Sequence, residues 1–256
     1  MLAAIIWGLV QGLTEFLPIS SSGHLVVVPA FLERAGMDIT PPSLAVSAVL
    51  HLGTLIAVLV YFRRDVVRVL RFRSDEDGRR ILLLVAVGTI PAVVGLPLES
   101  TLDSFQDTVS NVGWSLIATG VILAIGHRLA WGVRRMTDGR VPDAVVVGIA
   151  QAFALIPGIS RSGVTISAGN GRGFSPVEAA RFSFLLGIPA IAGAGLIQLP
   201  DVLDSGFQTE LLVGLLVAAV SGYLAIAWLL AALRRTGLAP FAAYCAAVGL
   251  LTVLLF

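Results

Sequence analysis

The sequence GLVQGLTEFLPISSSGHL at residues 8–25 has a counterpart in GIAQAFALIPGISRSGVT at residues 148–165. An offset of 140 residues aligns glycine, glutamine, isoleucine and serine positions of the two stretches. Each copy is an apolar run that breaks at a proline and continues with serine and glycine. The first copy also contains Glu15 and His24, and the second contains Arg161. Ionisable side chains within lipid-like sequence mark functional sites in membrane proteins, so we interpret the two copies as halves of one polar site.

The composition indicates a polytopic membrane protein. Of the 256 residues, 57% are hydrophobic and 13% are charged, whereas a typical soluble domain has about 25% charged residues. The single cysteine, Cys245, excludes an intramolecular disulfide. The arginines lie in loops that flank apolar segments rather than on one folded face, which argues against nucleic-acid binding.

The apolar segments predict an all-α membrane protein with six transmembrane helices. These helices are expected at residues 44–62, 81–98, 111–127, 182–199, 211–233 and 238–256. Two further apolar segments are broken, the first at Pro18 and the second at Pro157. A helix over residues 1–17 would be about 26 Å long, which is short of the ~30 Å hydrocarbon layer. After the break, residues 25–32 continue apolar for only two turns. We therefore predict a re-entrant helix–loop–helix hairpin at each break.

The distribution of arginine predicts that the two halves of the chain are inverted copies. Loop 63–80 contains seven arginines and loop 128–140 contains four, whereas the intervening loops contain aspartate and glutamate but no arginine. Because arginine-rich short loops face the cytoplasm, the two hairpins should enter the membrane from opposite sides. We predict one integral membrane domain over 1–256, with repeat one at about 1–127 and repeat two at about 141–256. In such inverted-topology folds the broken helices meet near the middle of the bilayer.

The residues around the two breaks suit phosphoryl transfer. Gln11 and Glu15 are four residues apart and therefore share one helix face. His24 can exchange a proton near neutral pH. In the second copy, the residues after Pro157 open a helix, whose free N–H groups suit a phosphate together with the Arg161 guanidinium.

Structural roles compete with these functional ones. Arg161 could cap carbonyl groups at the tip of its hairpin, His24 could be a satisfied polar group, and the serines could simply allow close helix packing. His51 is expected to make a helix–helix hydrogen bond rather than to act in catalysis. Arg172 is expected to be solvated or bonded to backbone, with a phosphate contact as the alternative.

Two motifs in these stretches resemble those of one family, the membrane undecaprenyl-diphosphatases associated with bacitracin resistance. That family has an (E/Q)xxxE box leading to a serine-rich stretch with histidine, and a PGxSRSxxT box. The first corresponds to Gln11-x-x-x-Glu15 followed by PISSSGH at 18–24, and the second to PGISRSGVT at 157–165. The segment AARFSFLLGIP at 179–189 is also similar to the family. The resemblance extends over essentially the whole chain.

The resemblance implies an enzyme of the cytoplasmic membrane that hydrolyses undecaprenyl (polyprenyl) diphosphate to the monophosphate and inorganic phosphate. This reaction recycles the lipid carrier for cell-envelope polymers. The resemblance also implies a divalent cation, magnesium or calcium, and an active site that opens to the outer side. Carried over by position, the catalytic residues that the resemblance implies are Glu15, Ser21, His24 and Arg161. The implied substrate-binding residues are Ser20, Ser22, Gly158, Ser160, Ser162 and Thr165, and the implied metal ligands are Glu15 and Gln11. Gln11 stands where many members have glutamate, which leaves one anionic ligand fewer.

Several alternatives stay open at this point. The nucleophile could be Ser21, His24 or a water activated by Glu15. A transporter or flippase of polyprenyl phosphate would use the same kind of inverted-repeat site. The expected partners are the prenyl lipid and the surrounding membrane lipids, and a homodimer is compatible with the family.

Overall fold

Helices form nearly all of the regular structure of this protein. The computed structural model describes residues 1–37, 39, 41–98, 102, 104–197 and 209–256. Over these residues the only β-structure is an isolated bridge between Arg134 and Phe174. The predicted all-α fold class is therefore confirmed.

The described α-helices follow the predicted segments closely. In chain order they are α1 (Leu2–Phe16), α2 (Ser21–Arg34), α3 (Leu44–Tyr61), α4 (Arg63–Leu70), α5 (Glu76–Gly95), α6 (Val109–Arg128), α7 (Val141–Ala152), α8 (Arg161–Gly171), α9 (Pro176–Ile197), α10 (Thr209–Arg235) and α11 (Ala239–Leu255). Short 3-10 turns lie at Leu96–Leu98, Ser104–Asp107, Met136–Asp138 and Phe153–Leu155. The short helix α4, inside the arginine-rich loop, was not expected from the sequence.

Five helices in the described part of the chain are long and apolar enough to cross a membrane, judged by length and composition. They are α3, α5 with its extension to Leu98, α6, α9 and α10. The sixth predicted span corresponds to α11, which is shorter at 17 residues. The last predicted residues of the 182–199 span, and the acidic loop that follows it, lie outside the described residues up to residue 208. This set of helices is that of a polytopic membrane protein.

Both predicted breaks are present. α1 ends at Phe16 and α2 begins at Ser21, while α7 is followed by a 3-10 turn and α8 begins at Arg161. α1 has 15 residues and α8 has 11, so they are about 22 Å and 16 Å long and cannot cross a ~30 Å hydrocarbon layer alone. α2 is longer than the predicted two turns, because it continues for 14 residues through Pro29. The re-entrant course of the two hairpins stays a prediction that these short arms support.

The second arm of each hairpin begins with the same serine cap. Ser20 Oγ accepts the N–H of Gly23 at 3.1 Å, and Ser160 Oγ accepts the N–H of Gly163 at 3.1 Å. Such caps satisfy N–H groups that a helix start leaves without a partner. Ser20 has a φ of 74°, the single positive value among the described non-glycine residues. Its backbone conformation costs on the order of 1–3 kcal/mol.

Helices of the first half pack against helices of the second half. α1 packs on α10, and α7, which occupies the corresponding place in the second half, packs on α5. α6 pairs with α11, and α3 with α9. An inverted repeat would produce this exchange of partners. The repeat boundaries at about 1–127 and 141–256 stay a prediction.

A cluster of ion pairs around a buried carboxylate connects the two ends of the second hairpin. Asp143, in the first turn of α7, is 1% exposed. Its carboxylate accepts hydrogen bonds at 2.8 Å from Arg134 Nη2, at 2.8 Å from Arg172 Nε and at 2.9 Å from the Arg140 N–H. Arg172, which follows the last residue of α8, is thus neither simply solvated nor placed for phosphate. The cluster joins the beginning of α7 to the end of α8.

The start of α9 differs from the expected capping arrangement. Its sequence, Ser175-Pro176-Val177-Glu178, predicts a reciprocal capping box. Ser175 Oγ does accept the Glu178 N–H at 3.4 Å, but the Glu178 carboxylate accepts the N–H of Met136 at 2.8 Å instead. The Ser175 N–H is taken by the Arg134 carbonyl at 3.0 Å. The Ser175 half of the capping box is therefore present, and contacts with the neighbouring loop replace its reciprocal half.

We expect Asp143→Asn to destabilise the protein. The N–H groups of the new amide would face one of the two arginines. The free energy of unfolding should fall by about 1–3 kcal/mol, a moderate loss because both guanidinium groups are partly exposed. The melting temperature in detergent should fall by about 2–4 °C for each kcal/mol at this chain length. Asp77→Asn, in an exposed pair with Arg68 at 3.5 Å, is the control and should change stability by no more than about 0.5 kcal/mol. Equal melting temperatures for the two variants would contradict this assignment.

Candidate active site

The two hairpins contact each other through a buried ion pair. Glu15, near the end of α1, and Arg161, the first residue of α8, are 146 residues apart in the chain. Arg161 Nη2 donates to Glu15 Oε1 at 2.9 Å, with side chains only 7% exposed for Glu15 and 16% for Arg161. In so apolar a setting each charge stabilises the other, because either one alone would lose its hydration without compensation.

The second carboxylate oxygen of Glu15 accepts two further hydrogen bonds. Ser21 Oγ donates to Glu15 Oε2 at 2.7 Å, and Gln11 Nε2 donates to the same oxygen at 3.1 Å. His51 Nε2 lies 4.0 Å from it, while the other ring nitrogen is 2.8 Å from the carbonyl oxygen of Ser47. The hydrogen bond that was expected between helices is instead made within α3, to Ser47, so that expectation was wrong. Across the helix boundary, the ring faces the Glu15 carboxylate at 4.0 Å, a contact to an ionisable group that the sequence did not predict.

Arg161 is held by helix α9. Its Nη1 donates to the carbonyl oxygen of Ser183 at 3.2 Å. Its guanidinium lies against Gly187, where an added Cβ would overlap the Arg161 nitrogens. Sequence reasoning assigned no role to Ser183 or Gly187, although both lie in the segment 179–189 that resembles the family.

The tip of the second hairpin is fixed against the first. Gly158 has a φ of 89°, and its N–H donates to Ser22 Oγ at 3.3 Å. An added Cβ at Gly158 would lie 2.6 Å from the Cβ of Ser115, so glycine is required for both space and conformation. Ser162 Oγ donates to the carbonyl oxygen of Leu17 at 3.2 Å. These bonds hold the two breaks at a constant separation.

A cavity of about 190 Å³ lies where the hairpins meet. Six of the predicted site residues line it, namely Glu15, Ser20, Ser21, Ser22, Ser160 and Arg161. Residues that were not predicted, among them Thr14, His51, Ala154 and Ala190, complete the wall. The cavity therefore combines a carboxylate, a guanidinium and several hydroxyl groups.

His24 lies outside that lining. Its Nδ1 is 2.7 Å from the Ser20 carbonyl oxygen, and its Nε2 is 2.8 Å from the hydroxyl of Tyr244. A carbonyl only accepts hydrogen bonds, so Nδ1 carries a hydrogen and Nε2 of the neutral ring accepts the Tyr244 hydroxyl. Both ring nitrogens are thereby engaged away from Ser21. The predicted catalytic role of His24 stays a prediction.

The remaining predicted residues hold the site rather than line it. Gly158 and Ser162 make the contacts between hairpins described above. Thr165 Oγ1 donates to the Arg161 carbonyl oxygen at 2.7 Å and lies 2.7 Å from Ser183 Oγ. It therefore ties the first turn of α8 to α9.

A second cavity of about 290 Å³ adjoins the first. The two share Arg161 and the small side chains of Ala154, Ala190 and Ala194. The wall of the second cavity is mainly apolar and includes Val93, Leu96, Leu155 and Pro189. A polar cavity that continues past a guanidinium into an apolar one suits an amphiphilic anion.

The donor atoms near Glu15 fit a hard cation that is shared with a phosphate. Within the described residues, no group of three or more His, Cys, Asp or Glu side chains could hold a metal ion. The available donors are the Glu15 carboxylate and Gln11 Oε1, a buried oxygen without a hydrogen-bond partner among the described residues. Magnesium commonly uses one or two carboxylates together with substrate phosphates. Glu15 lines the polar cavity and fits such a shared ion, whereas Gln11 lines neither cavity and could join it only after its amide rotates.

Comparison with known proteins identifies the family. The family described as bacitracin resistance protein BacA matches residues 4–251. An undecaprenyl-diphosphatase of Halothermothrix orenii is 41% identical, over 98% of this chain and 96% of its own. One of Thermomicrobium roseum is 41% identical over 98% and 96%, and undecaprenyl-diphosphatase 4 of Bacillus thuringiensis is 39% identical over 99% and 96%. The chain belongs to the BacA family, as its two motifs predicted.

Proposed function

We propose that this protein is an undecaprenyl-diphosphatase of the cell membrane, which hydrolyses the lipid diphosphate to the monophosphate and inorganic phosphate. The relatives of that name align with nearly the full chain. The assignment to this site rests on the Glu15–Arg161 ion pair, which joins the two family motifs. Ser21 lines the cavity beside this pair. Hydrolysis at this site would recycle the lipid carrier for cell-envelope polymers.

The terminal phosphate of the substrate binds in the polar cavity, against Arg161. An arginine has five N–H donors, and the bonds to Glu15 and to the Ser183 carbonyl use two of them. The remaining donors can bind phosphate oxygens without breaking the ion pair. Phosphoryl transfer depends chiefly on such positioning and on neutralising charge.

Ser21 is the proposed nucleophile and Glu15 its base. The 2.7 Å bond from Ser21 Oγ to Glu15 Oε2 gives the hydroxyl proton an acceptor. Ser21 Oγ attacks the terminal phosphorus while its proton passes to Glu15, the bond from that phosphorus to the bridging oxygen breaks, and Glu15 returns the proton to the departing lipid monophosphate. Water then attacks the phosphoserine and its proton passes to Glu15. Glu15 hands this proton to Ser21 Oγ as the phosphorus–Oγ bond breaks, which frees Ser21 and inorganic phosphate. In the competing version, Glu15 activates water directly.

His24 is less suited to be the nucleophile, because its Nε2 accepts the Tyr244 hydroxyl and its Nδ1 donates to Ser20. Its proposed contribution is to hold the strained Ser20 turn next to Ser21.

A magnesium ion, held by Glu15 and Gln11 together with phosphate oxygens, would neutralise charge that builds up on the leaving phosphate.

We place the opening of the cavity on the outer side of the membrane. Ala190 and Ala194 line the cavity from the second half of α9, far along that helix from its first turn, where Glu178 contacts the arginine-rich loop at Met136. Arginine-rich loops face the cytoplasm. A homodimer stays a further proposal.

Transport of the lipid monophosphate is the second candidate function. The exchange of helix partners between the two halves is an arrangement that carriers also use. Release of phosphate by detergent-solubilised protein requires an enzyme, whereas a pure carrier would only move lipid in vesicles.

Arg161→Ala should lower phosphate release from farnesyl diphosphate by about 10²–10³-fold, the loss typical of one key charge-stabilising donor. Arg64→Ala, in the exposed helix α4, serves as the control and should match the wild type. Near wild-type turnover by purified Arg161→Ala would show that the site is elsewhere.

Gly187→Ala should reduce turnover by at least about tenfold with little loss of stability. The added methyl group would displace the Arg161 guanidinium, which is the mobile end of a flexible side chain and can move at small cost. Gly171→Ala is the matched control, because its Cβ would meet only Leu129 Cδ1 at 3.4 Å. Turnover and melting temperature should be measured for both. A large fall in melting temperature without a change in turnover would refute this role of Gly187.

Chelation by EDTA should abolish activity, and magnesium should restore it. Gln11→Glu should lower the magnesium concentration needed for half-maximal activity, because it adds a second carboxylate beside Glu15. Titration of magnesium into EDTA-treated protein measures both effects. Activity that is insensitive to EDTA would remove the metal from the proposal.

A further inference from the structure

Gln151, in helix α7, is a buried polar side chain that the proposed reaction leaves unexplained. It is 3% exposed, and neither Nε2 nor Oε1 has a hydrogen-bond partner among the described residues. Buried amide groups are nearly always hydrogen-bonded, since leaving one without partners forfeits its hydration. Such an exception calls for a ligand or another specific role.

Its counterpart in the first half shows what is missing. Gln11 lies 140 residues earlier and donates to Glu15, four residues further along the same helix. At the corresponding distance from Gln151 stands Leu155, which has no polar atom in its side chain. The second hairpin therefore keeps the glutamine but lacks the internal carboxylate that would satisfy it.

The location of Gln151 indicates the class of ligand. It lines the larger, mainly apolar cavity, which Arg161 shares with the polar cavity. Thr89 is the other polar residue there, and its hydroxyl already donates to the Val85 carbonyl at 2.8 Å. The polar cavity with Glu15 and Arg161 suits a terminal phosphate. Gln151, on the far side of Arg161, suits a second phosphate, and the apolar wall suits a hydrocarbon chain.

We propose that the Gln151 side-chain amide donates a hydrogen bond to the ester-linked phosphate of the prenyl diphosphate, the phosphate that stays on the lipid product. This inference rests on the proposed function. Arg161 and Ser21 engage the terminal phosphate, and the first isoprene units lie along Val93, Leu96 and Leu155. A neutral amide binds phosphate less strongly than a cation does, which favours release of the monophosphate after the reaction.

Gln151→Met tests this assignment, because methionine has similar length and no hydrogen-bonding amide. With farnesyl diphosphate as substrate, KM should rise about five- to tenfold, the size expected for one lost hydrogen bond, while kcat changes less than about twofold. Inhibition by farnesyl monophosphate should weaken in parallel, and inhibition by inorganic phosphate should not change. Gln151→Leu provides a second variant if the first does not fold.

Ser167→Ala is the matched control. Ser167 Oγ is also buried without a hydrogen-bond partner among the described residues, but it lines a different apolar cavity. Both variants remove an unsatisfied group, so both should melt at or slightly above the wild-type temperature. Farnesyl monophosphate should raise the melting temperature of the wild type and of Ser167→Ala, and raise that of Gln151→Met less.

Each outcome separates this inference from the proposed function. If the wild type hydrolyses the substrate and Gln151→Met keeps its KM and its inhibition by monophosphate, Gln151 is only an internal polar group and the inference is wrong. A variant with equally weakened inhibition by inorganic phosphate would also overturn the assignment to the ester-linked phosphate. If the wild type releases no phosphate, the proposed function fails. The melting-temperature shifts then decide whether Gln151 binds a prenyl phosphate.

Discussion

The ion pair between Glu15 and Arg161 is the interaction on which the rest of the structure depends. Each residue lies at a break beside a helix that is too short to cross the hydrocarbon layer alone, where an isolated charge would cost several kcal/mol. Neither hairpin can therefore bury its charge without the other. Ser21 and Gln11 also donate to the carboxylate, and the Ser183 carbonyl accepts from the guanidinium, so both members of the pair have further hydrogen-bond partners.

The two hairpins are built alike but carry different chemistry. Both begin their second arm with a serine cap on a glycine N–H, and both have a glutamine one turn before the break. At an offset of 140 residues, however, Glu15 corresponds to Leu155 and Ser21 corresponds to Arg161. In the proposed reaction, one hairpin thus supplies base and nucleophile and the other supplies the cation, so the similar backbones place complementary groups face to face.

Much of the candidate site could be predicted from the residue types in the two motifs. Glu15, Ser21 and Arg161 do line one cavity. The sequence did not indicate that His24 turns to Tyr244, 220 residues away, because the rotation of α2 about its axis depends on how α11 packs beside it. Nor did the sequence indicate that Gly187 leaves room for the Arg161 guanidinium, because a glycine in an apolar helix can have many other roles.

By itself, the sequence determined the helices, the two breaks and the serine caps, because these depend on apolar runs, prolines and hydrogen bonds within a few residues. It also determined which reactive side chains are present. Tertiary structure alone decided which of them meet. It placed His51 beside Glu15, paired Arg172 with Asp143 and directed the Glu178 carboxylate to the Met136 N–H. It also left the Gln151 amide without a hydrogen-bond partner in the part of the chain that the structure describes. The physical reason is that helices far apart in the chain meet in a rotation and depth set by packing of their whole surfaces, which no local pattern specifies.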